Sequence, residues 1–242
     1  MPLLGVIPAR LGSSRLPEKP LRTLAGDPLI LWVVRRVAEF GLCDQLLVAT
    51  DSQTIADVVV QAGYDATLTG GHHRSGTERV AEVAARPEMR RFDTILNVQG
   101  DEPFVSRAAL AGAVDQVRAG YSLGTAAVPL DPRDASDPSN VKVQIDSSGR
   151  ALAFSRSPIA ARPGCAVLQH VGVYAYTPPA LARWVAGPPV EAETRERLEQ
   201  LRPMQQGMTF GVARLAEAAV PGIDTPEDLV RAEAFLMARE RA

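Results

Sequence analysis

The chain lacks the features that mark several large classes of protein. Its two cysteines, Cys43 and Cys165, lie far apart without CxxC spacing, which indicates neither a disulfide framework nor a zinc site and favours buried thiols. The longest strongly apolar run, 29–34, is far shorter than the roughly 18 to 20 residues of a membrane span. The formal net charge of −2 excludes the broad basic surface of most nucleic-acid-binding proteins. Neither a membrane nor a nucleic acid is therefore an expected partner.

The N-terminal sequence also lacks the order of a secretory signal peptide. Its first cation, Arg10, follows the apolar run at the N-terminus instead of preceding it. We therefore expect a cytoplasmic protein.

Lysine and asparagine are unusually rare. The 26 basic residues include only two lysines, Lys19 and Lys142, and the asparagines are Asn97 and Asn140. A bias against these residue types should act least where a compact ammonium or an amide is required. These two lysines and two asparagines are therefore candidate functional residues. The alternative is that their positions are due to chance.

Short apolar runs alternate with amphipathic segments through the first half of the chain. Strands are predicted at Leu3–Ile7, Gln45–Thr50, Asp93–Val98 and Gly124–Pro129, and helices at Pro28–Phe40, Ser52–Gln61, Thr77–Ala85 and Arg107–Arg118. This alternation predicts an α/β, Rossmann-like fold with a mostly parallel central sheet and helices on both faces. A ligand site is then expected at the carboxyl ends of the strands.

The pattern changes after Pro129. Two short runs, 141–145 and 151–154, flank a turn sequence and predict an antiparallel hairpin. A strand is predicted at His170–Tyr176, a helix at Glu191–Arg202, and a last helix that opens at Thr225-Pro226. We therefore predict a single domain over residues 1–242, with an antiparallel β insertion at about 130–205.

The loop after the first strand is locally basic. Residues 10–22 hold four cations and one acid, and Gly12, Ser13 and Ser14 supply small side chains with accessible N–H groups. At the carboxyl end of a parallel strand, such a loop is suited to a polyphosphate. The sequence contains neither GxGxxG nor GxxxxGK[ST], which argues against a dinucleotide fingerprint and a P-loop. The alternative is a solvated basic loop.

A second candidate lies at the end of another apolar strand. The sequence Asn97-Val98-Gln99-Gly100-Asp101-Glu102-Pro103 puts the Asp101 carboxylate where a divalent ion bridging nucleotide phosphates needs an oxygen ligand. The alternative is a turn with Asp and Pro in favoured positions.

Several motifs together resemble one enzyme family. They are Pro8-Ala9-Arg10, Ser14-Arg15-Leu16-Pro17, Lys19-Pro20-Leu21, Ser75-Gly76-Thr77-Glu78-Arg79, 97–103, Asn140-Val141-Lys142-Val143, Phe154-Ser155-Arg156, 170–174, 198–202 and 224–229. In this order they resemble the cytidylyltransferases that activate 3-deoxy-manno-octulosonate (Kdo), and the resemblance covers nearly the whole chain.

The resemblance implies transfer of CMP from CTP to the anomeric hydroxyl of Kdo, giving CMP-Kdo and pyrophosphate for lipopolysaccharide biosynthesis. It further implies a homodimer, with the 130–205 insertion in dimerisation, and Mg²⁺ held by Asp101 and Asp224. Lys19 is implied as catalytic with these two carboxylates. The implied nucleotide-binding residues are Arg10, Ser14, Arg15, Lys19, Arg74, Ser75 and Gln99.

The implied acceptor site is the part that departs from the family. Its residues are Arg156, His170, Tyr174, Glu199 and Gln200, expected between the first half of the chain and the insertion. The sequence differs from the usual family pattern in segment 157–162, at Gln169 and in the short linker 162–168. There are two alternatives to the Kdo-activating function. One is CMP transfer to 8-amino-Kdo or a nonulosonate, and the other is a non-catalytic module that binds CTP or a CMP-sugar. Glu199 could instead pair with Arg195 or Arg202, and His72-His73 is expected to be an exposed loop pair.

Overall fold

The computed structural model describes residues 1–13, 15–217 and 220–240, with the backbone alone at Glu240. The chain divides into two compact units, which are described separately. The N-terminal unit comprises Pro2–Met89, Asn97–Val105 and the described residues of Val220–Ala242. The central unit comprises Met1, Arg90–Leu96 and the described residues of Ser106–Ala219. The prediction of a single domain with one insertion stays a prediction.

Strands and helices alternate as the sequence predicts. The strands are β1 (Leu3–Ala9), β2 (Thr23–Leu24), β3 (Asp27–Pro28), β4 (Gln45–Thr50), β5 (Asp65–Leu68), β6 (Thr94–Val98), β7 (Leu123–Pro129), β8 (Lys142–Ile145), β9 (Ala151–Ser155), β10 (Ala166–Tyr176) and β11 (Phe210–Arg214). The helices are α1 (Leu29–Glu39), α2 (Gln53–Gln61), α3 (Gly76–Ala84), α4 (Arg107–Arg118), α5 (Pro178–Ala186), α6 (Glu191–Glu196), α7 (Leu201–Gln205) and α8 (Pro226–Glu240).

The N-terminal unit is built on parallel strands. β4 pairs with β1 on one side and with β5 on the other, with Val48 opposite Ile7 and Ala66. All seven residues of β1 are buried, as its continuous apolar sequence predicts for a strand covered on both faces. Helix α1 buries an apolar face that includes Ile30 and Val37. This arrangement brings the residues after β1 to the carboxyl ends of parallel strands.

The central unit combines parallel and antiparallel pairs. β7 pairs in parallel with β11 and antiparallel with β10, which in turn pairs with β8. β8 and β9 form the antiparallel hairpin predicted from the sequence, with Val143 opposite Phe154. The predicted fold class, α/β with a mostly parallel central sheet and a smaller antiparallel part, is confirmed.

The predicted helix Glu191–Arg202 is wrong. The chain forms two short helices, α6 and α7, and Arg197 between them has φ of 54°, a left-handed conformation that ends α6. The break allows Arg202 to turn back and form a buried two-point ion pair with Glu193, with N–O distances of 2.8 and 2.5 Å. The short strands β5 and β11 and helix α5 are absent from the sequence prediction.

Two further observations concern the cysteines and the lengths of the helices. Cys43 and Cys165 are both free, as predicted, but they are partly exposed and not buried. Among the helices of the described ranges, none is both long enough and apolar enough to cross a membrane.

Candidate active site

Lys19 lies between two carboxylates in the N-terminal unit. Its Nζ atom is 2.6 Å from Oδ2 of Asp101 and 2.7 Å from Oδ1 of Asp224. The Lys19 side chain is 15% exposed, whereas that of Asp224 is 43% exposed, so the cluster is open to solvent on the Asp224 side. Burial lowers the pKa of Lys19, but the charges and hydrogen bonds of the two carboxylates outweigh it and raise this pKa above the usual value. The ammonium is therefore charged throughout the physiological range.

The three segments that carry this cluster are held together by a small core and a backbone bond. Leu16 and Ile223, which lie near Lys19 and Asp224 in the chain, belong to one buried apolar cluster with Leu24, Leu29 and Ala232. The N–H of Ile223 donates to the carbonyl oxygen of Asp101 at 2.8 Å. The local packing thus fixes the two acidic segments on either side of the lysine.

Gly100 allows the segment before Asp101 to pass close to β1. A Cβ atom at this position would lie 2.9 Å from the carbonyl oxygen of Pro8, closer than real Cβ contacts. The glycine therefore permits an approach that any side chain would prevent.

The start of α8 fixes the backbone of Asp224. The Asp228 carboxylate accepts hydrogen bonds from the N–H groups of Asp224 and Thr225 at 3.0 and 2.8 Å, and the Thr225 hydroxyl caps the N–H of Asp228 at 3.2 Å. These hydrogen bonds outweigh burial and lower the pKa of Asp228. Thr225 is thus the N-cap predicted from the sequence, and it orders the residue that precedes it.

The other cations of the basic loop are exposed. Arg15 has its Nη2 atom 3.1 Å from Oδ2 of Asp224, with 66% of its side chain accessible to solvent. Arg10 is exposed at the end of β1. Ser14, also predicted to bind nucleotide, lies outside the described residues. Arg15 thus lies beside the Lys19 cluster, and the side chains of both arginines are accessible to an incoming anion.

The remaining nucleotide candidates lie around the N-terminus of α3. Ser75 is the N-cap of this helix, and its hydroxyl accepts the N–H of Glu78 at 3.2 Å. The backbone N–H of Arg74 donates to the Glu78 carboxylate at 2.8 Å, and 63% of the Arg74 side chain is exposed. Gln99 lies close to the same turn, because a Cβ atom built on Gly76 would be 3.4 Å from its Oε1 atom.

Helix α3 also holds the loop that leads to Arg74. Glu82 accepts hydrogen bonds from the N–H of Gly70 at 2.9 Å and pairs with Nε2 of His73 at 2.5 Å. Arg79, which is fully buried, donates to Asp51 at 3.0 Å and to the Thr69 hydroxyl. The expectation that His72 and His73 form an exposed pair is wrong for His73, whose side chain is only 9% exposed because Glu82 binds it.

The pair of Asp101 and Asp224 fits a magnesium ion in chemistry and number. Within the described part of the chain, no group of three or more His, Cys, Asp or Glu side chains is arranged to hold a metal ion. Mg²⁺ is commonly bound by one or two carboxylates with substrate phosphates and water completing the coordination. Two hard oxygen ligands beside exposed cations are therefore a suitable donor set for a metal that arrives with a nucleotide.

Glu102 is a further acidic residue of this cluster that the sequence analysis missed. Burial and the negative charges of Asp101 and Asp224 raise the pKa of Glu102 to about 8. Its side chain packs against the 220–224 segment, since a Cβ on Gly222 would lie 2.9 Å from its Oε1 atom. Its position next to Asp101 in the sequence was the available signal.

The acceptor candidates all lie in the central unit. Arg156 donates from Nε to the carbonyl oxygen of Glu196 and from Nη1 to that of Pro138, both at 2.9 Å. The Glu196 carboxylate accepts the backbone N–H of Arg156 at 3.1 Å. The guanidinium is thus oriented by backbone carbonyl oxygens.

Aromatic and polar groups surround Tyr174. Its ring lies 5.4 Å from that of His170, and burial, with the negative charge of Glu199, raises the pKa of Tyr174. His170 is a neutral imidazole, because burial lowers its pKa to about 3, and its Nε2 atom is 2.8 Å from the Thr125 hydroxyl. Gln200 is buried, and its Nε2 atom has no hydrogen-bond partner among the described residues. An unpaired buried donor of this kind is suited to a ligand oxygen.

Comparison with known proteins gives a consistent result. The family model described as cytidylyltransferase matches residues 4–210. The 3-deoxy-manno-octulosonate cytidylyltransferase of Gemmatimonas aurantiaca is 51% identical, over 96% of this chain and 93% of its own. A solved structure of CMP:2-keto-3-deoxy-manno-octonic acid synthetase complexed with CTP is 36% identical, has a TM-score of 0.90, and covers 99% of this chain and 100% of its own.

A more distant structure shares the fold alone. The 4-diphosphocytidyl-2C-methyl-D-erythritol synthase of Anaerococcus prevotii is 16% identical with a TM-score of 0.63, and the match covers 98% of each chain. The family model covers residues 4–210, and the two more similar relatives match nearly the whole chain. The chain belongs to the cytidylyltransferase family.

Proposed function

We propose that this protein transfers CMP from CTP to the anomeric hydroxyl of Kdo, releasing pyrophosphate. The observation that carries the proposal is the position of Lys19, 2.6 and 2.7 Å from Asp101 and Asp224 in a chain 51% identical to a protein named for this activity. An ammonium and two carboxylates at the ends of parallel strands provide groups for a triphosphate and its counter-ion.

The basic residues bind and orient the triphosphate. The exposed cations Arg10 and Arg15 neutralise part of its charge, and the Lys19 ammonium stabilises the negative charge that develops on the pyrophosphate leaving group. Arg74, Ser75, Gln99 and, outside the described residues, Ser14 hold the cytidine end. The attacking sugar oxygen forms a bond to the α-phosphorus as the bond to pyrophosphate breaks, with the two oxygens in line.

Asp101 and Asp224 are the residues that would hold Mg²⁺. When bound, the ion supplies charge neutralisation at the α-phosphate and lowers the pKa of the attacking hydroxyl. The protein contributes a pair of hard oxygens whose backbone positions are fixed by Ile223 and Asp228.

The acceptor is bound by the central unit. Arg156 provides a guanidinium held by backbone carbonyl oxygens for the sugar carboxylate. Gln200 provides a buried amide donor, unpaired within the described ranges, for a hydroxyl. Further hydrogen-bonding groups for the sugar hydroxyls come from Tyr174, neutral His170 and Glu199. These groups favour an acidic, polyhydroxylated acceptor.

The cellular setting follows from the resemblance to the family. We expect a homodimer in the cytoplasm that supplies CMP-Kdo for lipopolysaccharide biosynthesis, with the dimer contacts contributed by the central unit. Light scattering on the purified protein tests the oligomeric state, and a monomeric mass contradicts it.

A pyrophosphate-release assay tests the proposed function. The purified protein is given CTP, Mg²⁺ and one of three acids: Kdo, 8-amino-Kdo or N-acetylneuraminate. We expect the highest kcat/KM with Kdo, CTP preferred over UTP, and poor use of purine nucleotides. Faster turnover of one of the other acids contradicts the acceptor assignment. Absence of pyrophosphate release with every acid contradicts the assignment as an enzyme and favours a module that only binds nucleotide.

A further inference from the structure

Strand β8 has a polar face in the interior of the central unit. Lys142 is 0% exposed and Gln144 is 1% exposed, and alternation along a strand puts both on the same face. Val143, between them, is buried on the opposite face. Buried polar side chains of this kind are costly unless their hydrogen bonds are made.

Both side chains donate to the backbone of a single segment. Nζ of Lys142 is 2.8 Å from the carbonyl oxygen of Arg156, and Nε2 of Gln144 is 3.0 Å from that of Ala160. The segment 156–160 directly follows β9 and begins with the guanidinium assigned to the sugar carboxylate. It is also part of the stretch in which this sequence departs from the usual family pattern.

Lys142 links this segment to a second one. Its Nζ atom also donates to the carbonyl oxygen of Asp137 at 2.6 Å, and Nη1 of Arg156 donates to the neighbouring Pro138 carbonyl at 2.9 Å. The two cations thus hold the 137–138 turn through its carbonyl groups. The network fixes both the backbone and the side chain of Arg156.

The identity of the cation matters at this position. Burial lowers the pKa of Lys142; the negative charge of Asp137 opposes this effect and the positive charge of Arg156 adds to it, and the net shift is downward. A compact ammonium can donate to two carbonyl groups in different directions, which a planar guanidinium cannot match in the same volume. This requirement accounts for one of the two lysines in a chain whose other cations are arginine.

We infer that Lys142 and Gln144 are positioning residues of the acceptor site, which hold the 156–160 segment so that Arg156 faces the carboxylate of an acidic sugar. The inference rests on the proposed function for the identity of the acceptor. Neither side chain is required to touch the substrate.

Hydrogen–deuterium exchange tests the positioning without any substrate. Lys142→Met and Gln144→Met remove the donors and keep much of the volume, and Val143→Ala creates a cavity in the same strand without touching the segment. We expect faster exchange over residues 156–162 in the two Met variants, with wild-type exchange in the N-terminal unit. In Val143→Ala the 156–162 peptides should exchange as in the wild type. Wild-type exchange over 156–162 in both Met variants overturns the inference.

Kinetics test the consequence for substrate binding. For Lys142→Met we expect the KM for Kdo to rise about tenfold or more, as for loss of a charge-assisted hydrogen bond, and for Gln144→Met about threefold to fivefold. The KM for CTP should stay within about twofold of the wild-type value in both variants. Val143→Ala should lower the melting temperature and leave both KM values unchanged.

The outcomes separate the inference from the proposed function. An unchanged acceptor KM, or equal rises in the KM values for Kdo and CTP, in an active protein overturns the inference alone. A wild-type protein that is inactive with every acidic sugar overturns the proposed function and, with it, the acceptor role of these residues.

Discussion

The ammonium nitrogen of Lys19 lies 2.6 Å from a carboxylate oxygen of Asp101, although 82 residues separate the two in the sequence. Asp224, a further 123 residues along the chain, contacts the same nitrogen at 2.7 Å. Three distant segments therefore contribute one charged group each to a single cluster. Changes to this cluster and to its surroundings have measurable consequences.

Asp101→Asn should abolish most of the turnover and leave the fold intact. The amide retains the shape of the side chain but loses the anionic oxygen that contacts Lys19 and is proposed to bind Mg²⁺. We expect kcat to fall a hundredfold or more, corresponding to about 3 kcal/mol. Circular dichroism and steady-state kinetics on this variant provide the measurement. Asp115→Asn, an exposed acid on α4, is the matched control, and near-normal kcat in Asp101→Asn contradicts the assignment.

Lys19→Arg should impair the use of CTP although the charge is retained. A planar guanidinium cannot occupy the space between two carboxylates as the compact ammonium does, and it reaches a phosphate in a different geometry. We expect kcat/KM for CTP to fall by at least about fivefold. Arg118→Lys, at an exposed position on α4, should have no effect. Equal kcat/KM for CTP in Lys19→Arg and the wild type argues against a direct phosphate contact.

Gln200→Met should separate stability from acceptor binding. The Nε2 atom of Gln200 has no partner within the described ranges, so its replacement removes an unpaired buried donor at no cost in protein hydrogen bonds. We expect an equal or higher melting temperature and a raised KM for Kdo. Arg202→Met is the contrasting variant, because it leaves Glu193 as an unpaired buried charge and should lower the melting temperature. A marked loss of stability in Gln200→Met shows that the side chain has a structural partner.

Glu82→Gln should make stability less dependent on acid pH. Burial raises the pKa of Glu82, but hydrogen bonds from Gly70, His73 and Arg86 outweigh it and lower this pKa from 4.5 to about 2. A lowered folded-state pKa stabilises the protein above the unfolded value, and this contribution is lost as pH falls from about 4.5 towards 2. The wild type should therefore be more stable than the variant at pH 6, and the difference should shrink below pH 4.5.

Chemical denaturation across this pH range provides the measurement for Glu82. Glu88→Gln, an exposed acid in the same part of the sequence, is the control and should show no such trend. A stability difference that stays constant from pH 6 to pH 3 contradicts the assigned hydrogen bonds.

The alternation of apolar runs and amphipathic segments was enough to predict most of the fold. β4 and α4 have the predicted bounds, because each has a strong pattern and a clear start or stop. The short strand β5 has no comparable apolar run, and its place is set by pairing with β4. The end of α6 at Arg197 could not be predicted, since the sequence there favours helix and the break depends on the buried pair of Glu193 and Arg202.

The site was predictable in its residue types but not in its contacts. Charge and position at strand ends indicated Lys19 and Asp101, while their pairing depends on tertiary packing of Leu16 and Ile223. The role proposed for Asp224 could be inferred before the structure only from the resemblance to the family. Lys142 was noticed as a rare lysine, but its carbonyl partners follow from the pairing of β8 with β9.

The two sets of candidate residues belong to different compact units of the chain. Lys19, Asp101 and Asp224 lie in the N-terminal unit, whereas Arg156 and Gln200 lie in the central unit. Each set is held by hydrogen bonds within its own unit. Substitutions in the proposed acceptor residues can therefore accumulate during evolution in one unit while the contacts proposed to orient the triphosphate are inherited unchanged in the other.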